Sequence, residues 1–224
     1  MTKKTFILPF LILSAIHLIG QFLEEPMIHD VSKPFLIPAL AYYFSKTCIK
    51  TPLNKFVYAA LFFSWLGDVL LIFAPFDALF FITGLVGFLI AQLIYAFMNI
   101  NFVDDGNAKP VLKWQAFFVA AYGMVYFIFL KESLGAMLLP VAFYCAVICI
   151  MGITAIGRLN RSGKETFNLV LLGALLFISS DSVIGLNRFM GPIEFAGPIV
   201  MSTYLLAQYL LVKGYTFFIE GLKS

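Results

Sequence analysis

The chain has 224 residues, of which 62% are hydrophobic and only 12% charged, and it carries a net charge of +3. So apolar a composition excludes an ordinary soluble domain and points to a polytopic membrane protein, an all-α bundle of transmembrane helices. The small positive charge implies no nucleic-acid partner, because it follows from the loop asymmetry described below.

Eight apolar runs, set apart by charges, Pro and Gly, predict helices over residues 5–23, 33–46, 54–75, 78–100, 112–130, 135–156, 166–187 and 196–219. Most reach the roughly 20 residues that cross a hydrocarbon core. The second, which contains Pro34 and Pro38, is the shortest. Together they make a single membrane domain over residues 1–224 with no room for an extramembrane one. Residues 1–4 ahead of an apolar run resemble the start of a signal peptide. The run is long and no small-residue cleavage site follows, so an uncleaved first helix is expected.

Loop charge sets the orientation. Of the 15 Lys and Arg, only Lys33, Lys131 and Arg188 fall in outer segments when the N-terminus is placed inside. That bias predicts cytoplasmic N- and C-termini. Two histidines, His17 in the first helix and His29 in the first outer loop, are too few for a three-His zinc cage. The spacing of Cys145 and Cys149 reads as packing. No metal and no organic cofactor are expected.

Two carboxylates stand where carboxylates are costly: Asp68 in the apolar run 56–73 and Asp181 in the run 167–186. A charged side chain near the bilayer centre costs about 2.5–3.5 kcal/mol on insertion scales, so such acids mark functional sites by default. Counting residues to the outer helix ends puts both acids about 8–10 Å below the outer surface.

An internal echo accompanies them. The segment from Leu36 through Pro38 to Tyr42 resembles the one from Leu138 through Pro140 to Tyr144. Asp68 and Asp181 follow, then Ala91-Gln92 and Ala207-Gln208. The shared order predicts two parallel four-helix repeats, residues 1–106 and 110–224, joined by a polar cytoplasmic linker at 101–113.

Around the acids, Ser64 lies one turn before Asp68, and Gly67 allows close helix approach. Ser179 and Ser180 precede Asp181, Phe177 and Gly185 flank it at one turn, and Arg188 follows at two. Thr83 and Tyr204 fall at similar depth, while Gln92 and Gln208 are deeper and suit either a pocket floor or a helix bridge. Lys33, read as opening the second helix, is placed either to hold a lipid phosphate or to snorkel. Two carboxyls that share a low-dielectric site do not both ionise readily, so one keeps a proton for general acid catalysis.

At these residues the sequence resembles the lysoplasmalogenase (YhhN-like) family of eight-helix membrane proteins. The resemblance rests on Lys33-Pro34, on Ser64-Trp65-Leu66-Gly67-Asp68, and on Gly84-Leu85 with Phe88, Ala91-Gln92 and Tyr95. It continues through Gly173 to Asp181 with Arg188-Phe189, and through Tyr204 to Gln208-Tyr209-Leu210. It implies hydrolysis of the vinyl-ether bond of a lysoplasmalogen to a fatty aldehyde and glycerophospho-ethanolamine or -choline. The partner is then a membrane lysophospholipid, with no protein partner indicated. Family members often place His where this chain has Gln92, so the resemblance carries no proton relay to that position.

The chemistry fits two acids. One carboxyl protonates the β-carbon of the vinyl ether, and an ionised partner stabilises the oxocarbenium ion and orients water. Asp181 is read as the acid and Asp68 as the base, with Lys33, Ser64, Gln92, Ser180, Arg188, Tyr204 and Gln208 as candidate substrate contacts. The same acids on duplicated helices also suit a proton-coupled transporter or a lipid flippase, and a receptor or scaffold is a third class. The sequence leaves open which membrane holds the chain, a bacterial inner membrane or the endoplasmic reticulum.

Overall fold

The computed structural model describes residues 3–104 and 112–222. Among them are eight α-helices and no strand: α1 (Leu8–Phe22), α2 (Pro26–Thr47), α3 (Asn54–Ile72), α4 (Ala78–Asn101), α5 (Ala116–Leu130), α6 (Leu138–Ile156), α7 (Lys164–Phe189) and α8 (Ala196–Gly221). The all-α expectation holds. Six of them are long and apolar enough to cross a membrane, α1 and α5 together with the 3-10 turns that adjoin them, as spans Thr5–Phe22 and Ala116–Ser133. The other two, α2 and α8, have 22 and 26 residues and match them in length. The chain is a multi-pass integral membrane protein.

Lipid is the solvent for its outer faces. On α5, Phe117, Phe118, Met124, Val125, Ile128 and Phe129 are all exposed. Such a face would aggregate in water, and in hydrocarbon it is the required surface.

The chain divides into two compact units, residues 1–94 with 215–224, and residues 95–214. In the first, α1 and α2 form a tight helical hairpin through Glu24, whose φ is 54°. Gly20 lets the two helices close, since a Cβ there would meet the Ile28 side chain at 2.7 Å. Across this hairpin the His17 Nδ1 lies 3.0 Å from both the His29 carbonyl and the Ser32 hydroxyl. The Ser32 hydroxyl also donates to the His29 carbonyl, at 3.1 Å, an arrangement that suits the tautomer with its proton on Nδ1.

The second helix corrects the sequence reading. It starts at Pro26, where a missing N–H costs nothing, rather than at residue 33. His29 therefore lies in a helix and not in a loop, and Lys33 sits two turns inside α2 instead of opening it. Pro34 and Pro38 are both interior. An interior Pro cannot donate to the carbonyl four residues back, a defect worth about 3 kcal/mol in an ordinary helix. Here the Trp65 indole N–H of α3 donates to the Pro34 carbonyl at 2.9 Å, replacing the bond Pro38 cannot make.

The second unit is braced at its polar end. The Asp104 N–H donates to the Arg161 carbonyl at 2.7 Å, and the Asp104 carboxylate accepts the Gly163 N–H at 2.7 Å. The rest of the expected linker, including Asp105, Gly106, Asn107, Lys109 and Pro110, falls on residues 105–111, outside the described residues. Cys149 packs against Gly123 and lies 3.7 Å from the Val119 carbonyl, in line with packing for the Cys145/Cys149 pair.

Candidate active site

Asp68 belongs to the first unit. On α3, Leu61, Ser64 and Asp68 recur at helical spacing and form one buried stripe, with Asp68 only 2% exposed. The side of α3 next to this stripe meets α4 backbone to backbone. A Cβ on Gly67 would lie 2.8 Å from the Phe88 ring and 3.0 Å from the Gly84 carbonyl. One on Gly87 would lie 3.0 Å from both the Gly67 nitrogen and the Phe63 carbonyl. Small residues at such a crossing are the usual device for close helix approach in lipid. Here they fix the helix that carries Asp68. Gln92, fully buried, shares the Phe88 face of α4.

Lys33 shares a face of α2 with Ile37, Leu40 and Phe44, all three buried. Lys33 itself is half-buried, at the edge of that inward stripe. Thr83 does not join the site. It is exposed on α4 and its hydroxyl donates to the Leu79 carbonyl of its own helix at 2.8 Å.

Asp181 belongs to the second unit and is half-buried. The Tyr144 hydroxyl of α6 donates to its Oδ2 at 2.6 Å. Next to it, the Tyr122 and Tyr126 rings of α5 stack with centroids 6.1 Å apart. Their hydroxyls donate to the Ser182 hydroxyl at 2.7 Å and the Ser182 carbonyl at 2.8 Å. Gly185, one turn beyond Asp181, leaves room for the Tyr126 hydroxyl, which a Cβ there would displace.

The neighbours of Asp181 differ in what they do. Ser180, almost fully buried, donates to the Val200 carbonyl of α8 at 3.1 Å. Ser179 is exposed and donates to the Leu175 carbonyl on its own helix. Phe177 meets Tyr204 edge-on at 5.7 Å and Tyr95 at 6.5 Å between centroids. The Tyr95 hydroxyl donates to Gln208 Oε1 at 2.7 Å, so Gln208 bridges α4 and α8 within this unit. Arg188 is exposed near the end of α7.

The helix ends alter the depth count. α3 closes at Ile72, one turn past Asp68, and α7 runs two turns past Asp181 to Phe189. The apolar runs had given both acids the same distance to a helix end, and the helices themselves do not.

Sequence reasoning missed two functional candidates. Tyr144 was visible only as part of the Pro–Tyr echo, and Trp65 only as part of a motif. Their partners, Asp181 and the Pro34 carbonyl, are 37 and 31 residues away. The echo itself is unequal in context: Pro38 is deep inside α2 and Tyr42 exposed, while Pro140 sits in the first turn of α6.

Comparison with known proteins completes the picture. The sequence model of the YhhN family matches residues 28–215, from the first turn of α2 almost to the end of α8. A protein of Bos taurus named Lysoplasmalogenase TMEM86A is 31% identical over 159 residues, 69% of this chain and 62% of the relative. Its Homo sapiens counterpart of the same name is 32% identical over 158 residues, with the same shares. The chain thus spans less than two thirds of the length of the curated relatives it matches. No solved structure matches it.

Proposed function

This chain belongs to the YhhN family, and from that membership we propose that it is a membrane-embedded lysoplasmalogenase-like hydrolase. Its substrate is a lysophospholipid with a vinyl-ether chain, and its products are a fatty aldehyde and glycerophospho-ethanolamine or -choline. The relatives' name supports the reaction class. The observation that carries the reading is Asp68, a carboxyl 2% exposed on the inward stripe of an apolar helix, where retaining it without a task is costly.

The chemistry asks for an acid and a partner. A carboxyl delivers a proton to the β-carbon of the vinyl ether, and the positive charge comes to rest on the ether oxygen and the carbon bound to it. Water adds to that carbon and returns a proton to the carboxylate, giving a hemiacetal. Cleavage of its bond to the glycerol oxygen releases the aldehyde and a glycerol hydroxyl, with one water consumed. Asp68 and Asp181 take the two carboxyl roles, one donating the proton and the other stabilising the cation and orienting water. The short bond from Tyr144 supports such a role for Asp181, because it holds that carboxyl in one orientation. Lys33, on the inward face of α2, holds the phosphate.

The test is aldehyde release from lysoplasmenyl-ethanolamine by purified protein in detergent, with a chelator present. Asp68→Asn and Asp181→Asn run alongside, each checked for folding. Turnover in the wild type that is lost in both variants is the expected result. Full turnover in either folded variant removes that aspartate from the mechanism. A folded wild type that releases no aldehyde turns attention to transport driven by the same acids.

A further inference from the structure

We propose that the groove between α2 and α3 is the binding site for the single aliphatic chain of a lysophospholipid, entered sideways from the membrane. The groove has a volume of about 300 Å³ and is lined by Ile37, Pro38 and Ala41 of α2 and Tyr58, Leu61, Phe62 and Trp65 of α3. Every lining side chain presents carbon, and an aliphatic chain is what the surrounding hydrocarbon offers.

Three features make this a site and not an ordinary seam between helices. First, its two walls differ. Pro38, Tyr58 and Phe62 are exposed and form the lip, whereas Ile37 and Leu61 are buried and form the inner wall. The opening therefore faces lipid and the floor faces the interior of the unit. Second, both floor residues belong to stripes that carry charge. Ile37 follows Lys33 by one turn on α2, and Leu61 precedes Asp68 by two turns on α3 with Ser64 between them. Third, the register of the two helices is pinned by the bond from Trp65 to the Pro34 carbonyl. That bond sets Lys33, next to Pro34, level with the end of the groove from which α3 continues to Asp68.

At that end of the trough the two helices carry an ammonium, Lys33 on α2, and a carboxyl, Asp68 on α3. A lysoplasmalogen likewise carries its phosphate and its vinyl ether at one end of a single hydrocarbon tail. The ammonium complements the phosphate, and the narrow trough between two helices suits one chain. From Trp65 to Tyr58 the trough runs about 10 Å along α3, at 1.5 Å per residue. The assignment of the head end rests on the hydrolase reading; the assignment of the tail rests on the groove alone.

The experiment separates the two. Trp65 lines the groove, and Trp114, the other of the chain's two tryptophans, is 73% exposed elsewhere. In a Trp114→Phe background, lysophosphatidylcholine with a brominated acyl chain is titrated into detergent-solubilised protein and the Trp65 fluorescence is read. Saturable quenching is expected, reversed by unbrominated lysolipid and lost in Ala41→Phe. Ala41→Leu, a smaller filling, is expected to weaken it by about tenfold. Both variants are checked for an unchanged unfolding temperature.

In the aldehyde assay, Ala41→Leu should raise KM for a hexadecenyl substrate about tenfold and leave an octenyl substrate within about twofold. Saturable quenching that Ala41→Phe removes, with no aldehyde from the wild type, keeps the groove and discards the hydrolase. Aldehyde release with an unaltered chain-length profile in both Ala41 variants discards the groove and keeps the hydrolase. Quenching that rises linearly with brominated lipid and ignores both variants also overturns the groove.

Discussion

Tyr144 and Asp181, on α6 and α7, are joined by a hydrogen bond of 2.6 Å from the phenol to the carboxylate. Such a bond is worth about 0.5–1.5 kcal/mol to a neutral carboxyl and about 1.5–3 kcal/mol to an ionised one, and its value lies as much in aim as in energy. Tyr144→Phe keeps the ring and removes only the donor. It should lower kcat for aldehyde release by about tenfold to a hundredfold and leave KM within about twofold. Combined with Asp181→Asn, it should cost nothing further, because both changes remove the same unit. An additive double variant would show that Tyr144 acts elsewhere.

The pair formed by Trp65 and Pro38 predicts a compensation. Trp65→Phe deprives the Pro34 carbonyl of the indole N–H and should lower stability by about 1–3 kcal/mol, the cost of an unmet buried acceptor. Pro38→Ala restores a backbone N–H to that carbonyl. In the Pro38→Ala background, Trp65→Phe should therefore cost about 1 kcal/mol less. Denaturant titration in mixed micelles of the four proteins reads the coupling, and a coupling of zero would remove the indole from its role.

Glycines in this chain are not equivalent. Gly87→Ala sets a methyl against backbone atoms of α3 at 3.0 Å, which cannot swing away. It should destabilise the protein by about 1–3 kcal/mol, as overpacking does. Gly163→Ala meets nothing within 4 Å and its φ is not positive. Gly163 is the N-cap of α7, where Ala is poorer than Gly, so the change should cost only about 0.5–1 kcal/mol and through the cap instead of through packing. Thermal unfolding in detergent compares the two directly.

Adjacent serines offer a matched contrast. Ser180→Ala removes a bond to the Val200 carbonyl on another helix and should cost about 1 kcal/mol. Ser179→Ala removes only an exposed bond within α7 and should lie within about 0.5 kcal/mol of zero. Equal losses would mean that the bond to α8 contributes nothing.

These outcomes show what the sequence disclosed and what it withheld. Apolar runs bounded by charge gave all eight helices, because lipid admits backbone only as closed hydrogen-bonded elements. The exception in extent was α2. His29 looks like a loop residue and Lys33 like the start of a helix, yet α2 begins at Pro26 and packs against α1 at Gly20, so both lie within it. Gly67 was legible, since a small residue beside a buried acid announces a close neighbour. Thr83 shows the limit of counting. Depth along a helix can be counted from sequence, but the direction a residue faces depends on which side of the helix meets its neighbours. Tyr144 was hidden for a related reason. A phenol in an apolar run resembles packing until the helix opposite it is known.

The glycine crossing of α3 and α4 has a mechanical consequence. Where backbones touch there is no side chain to yield, so α3 cannot tilt or slide on α4 without losing the contact altogether. The opposite wall of α3 is softer: α2 is interrupted by Pro38, and the missing backbone bond is replaced by one indole that can rotate away. The two sides of α3 are therefore held by unlike means, backbone contact towards α4 and one side-chain bond towards α2. The backbone contact makes α3 and α4 one piece, the datum from which the Asp68 carboxyl projects.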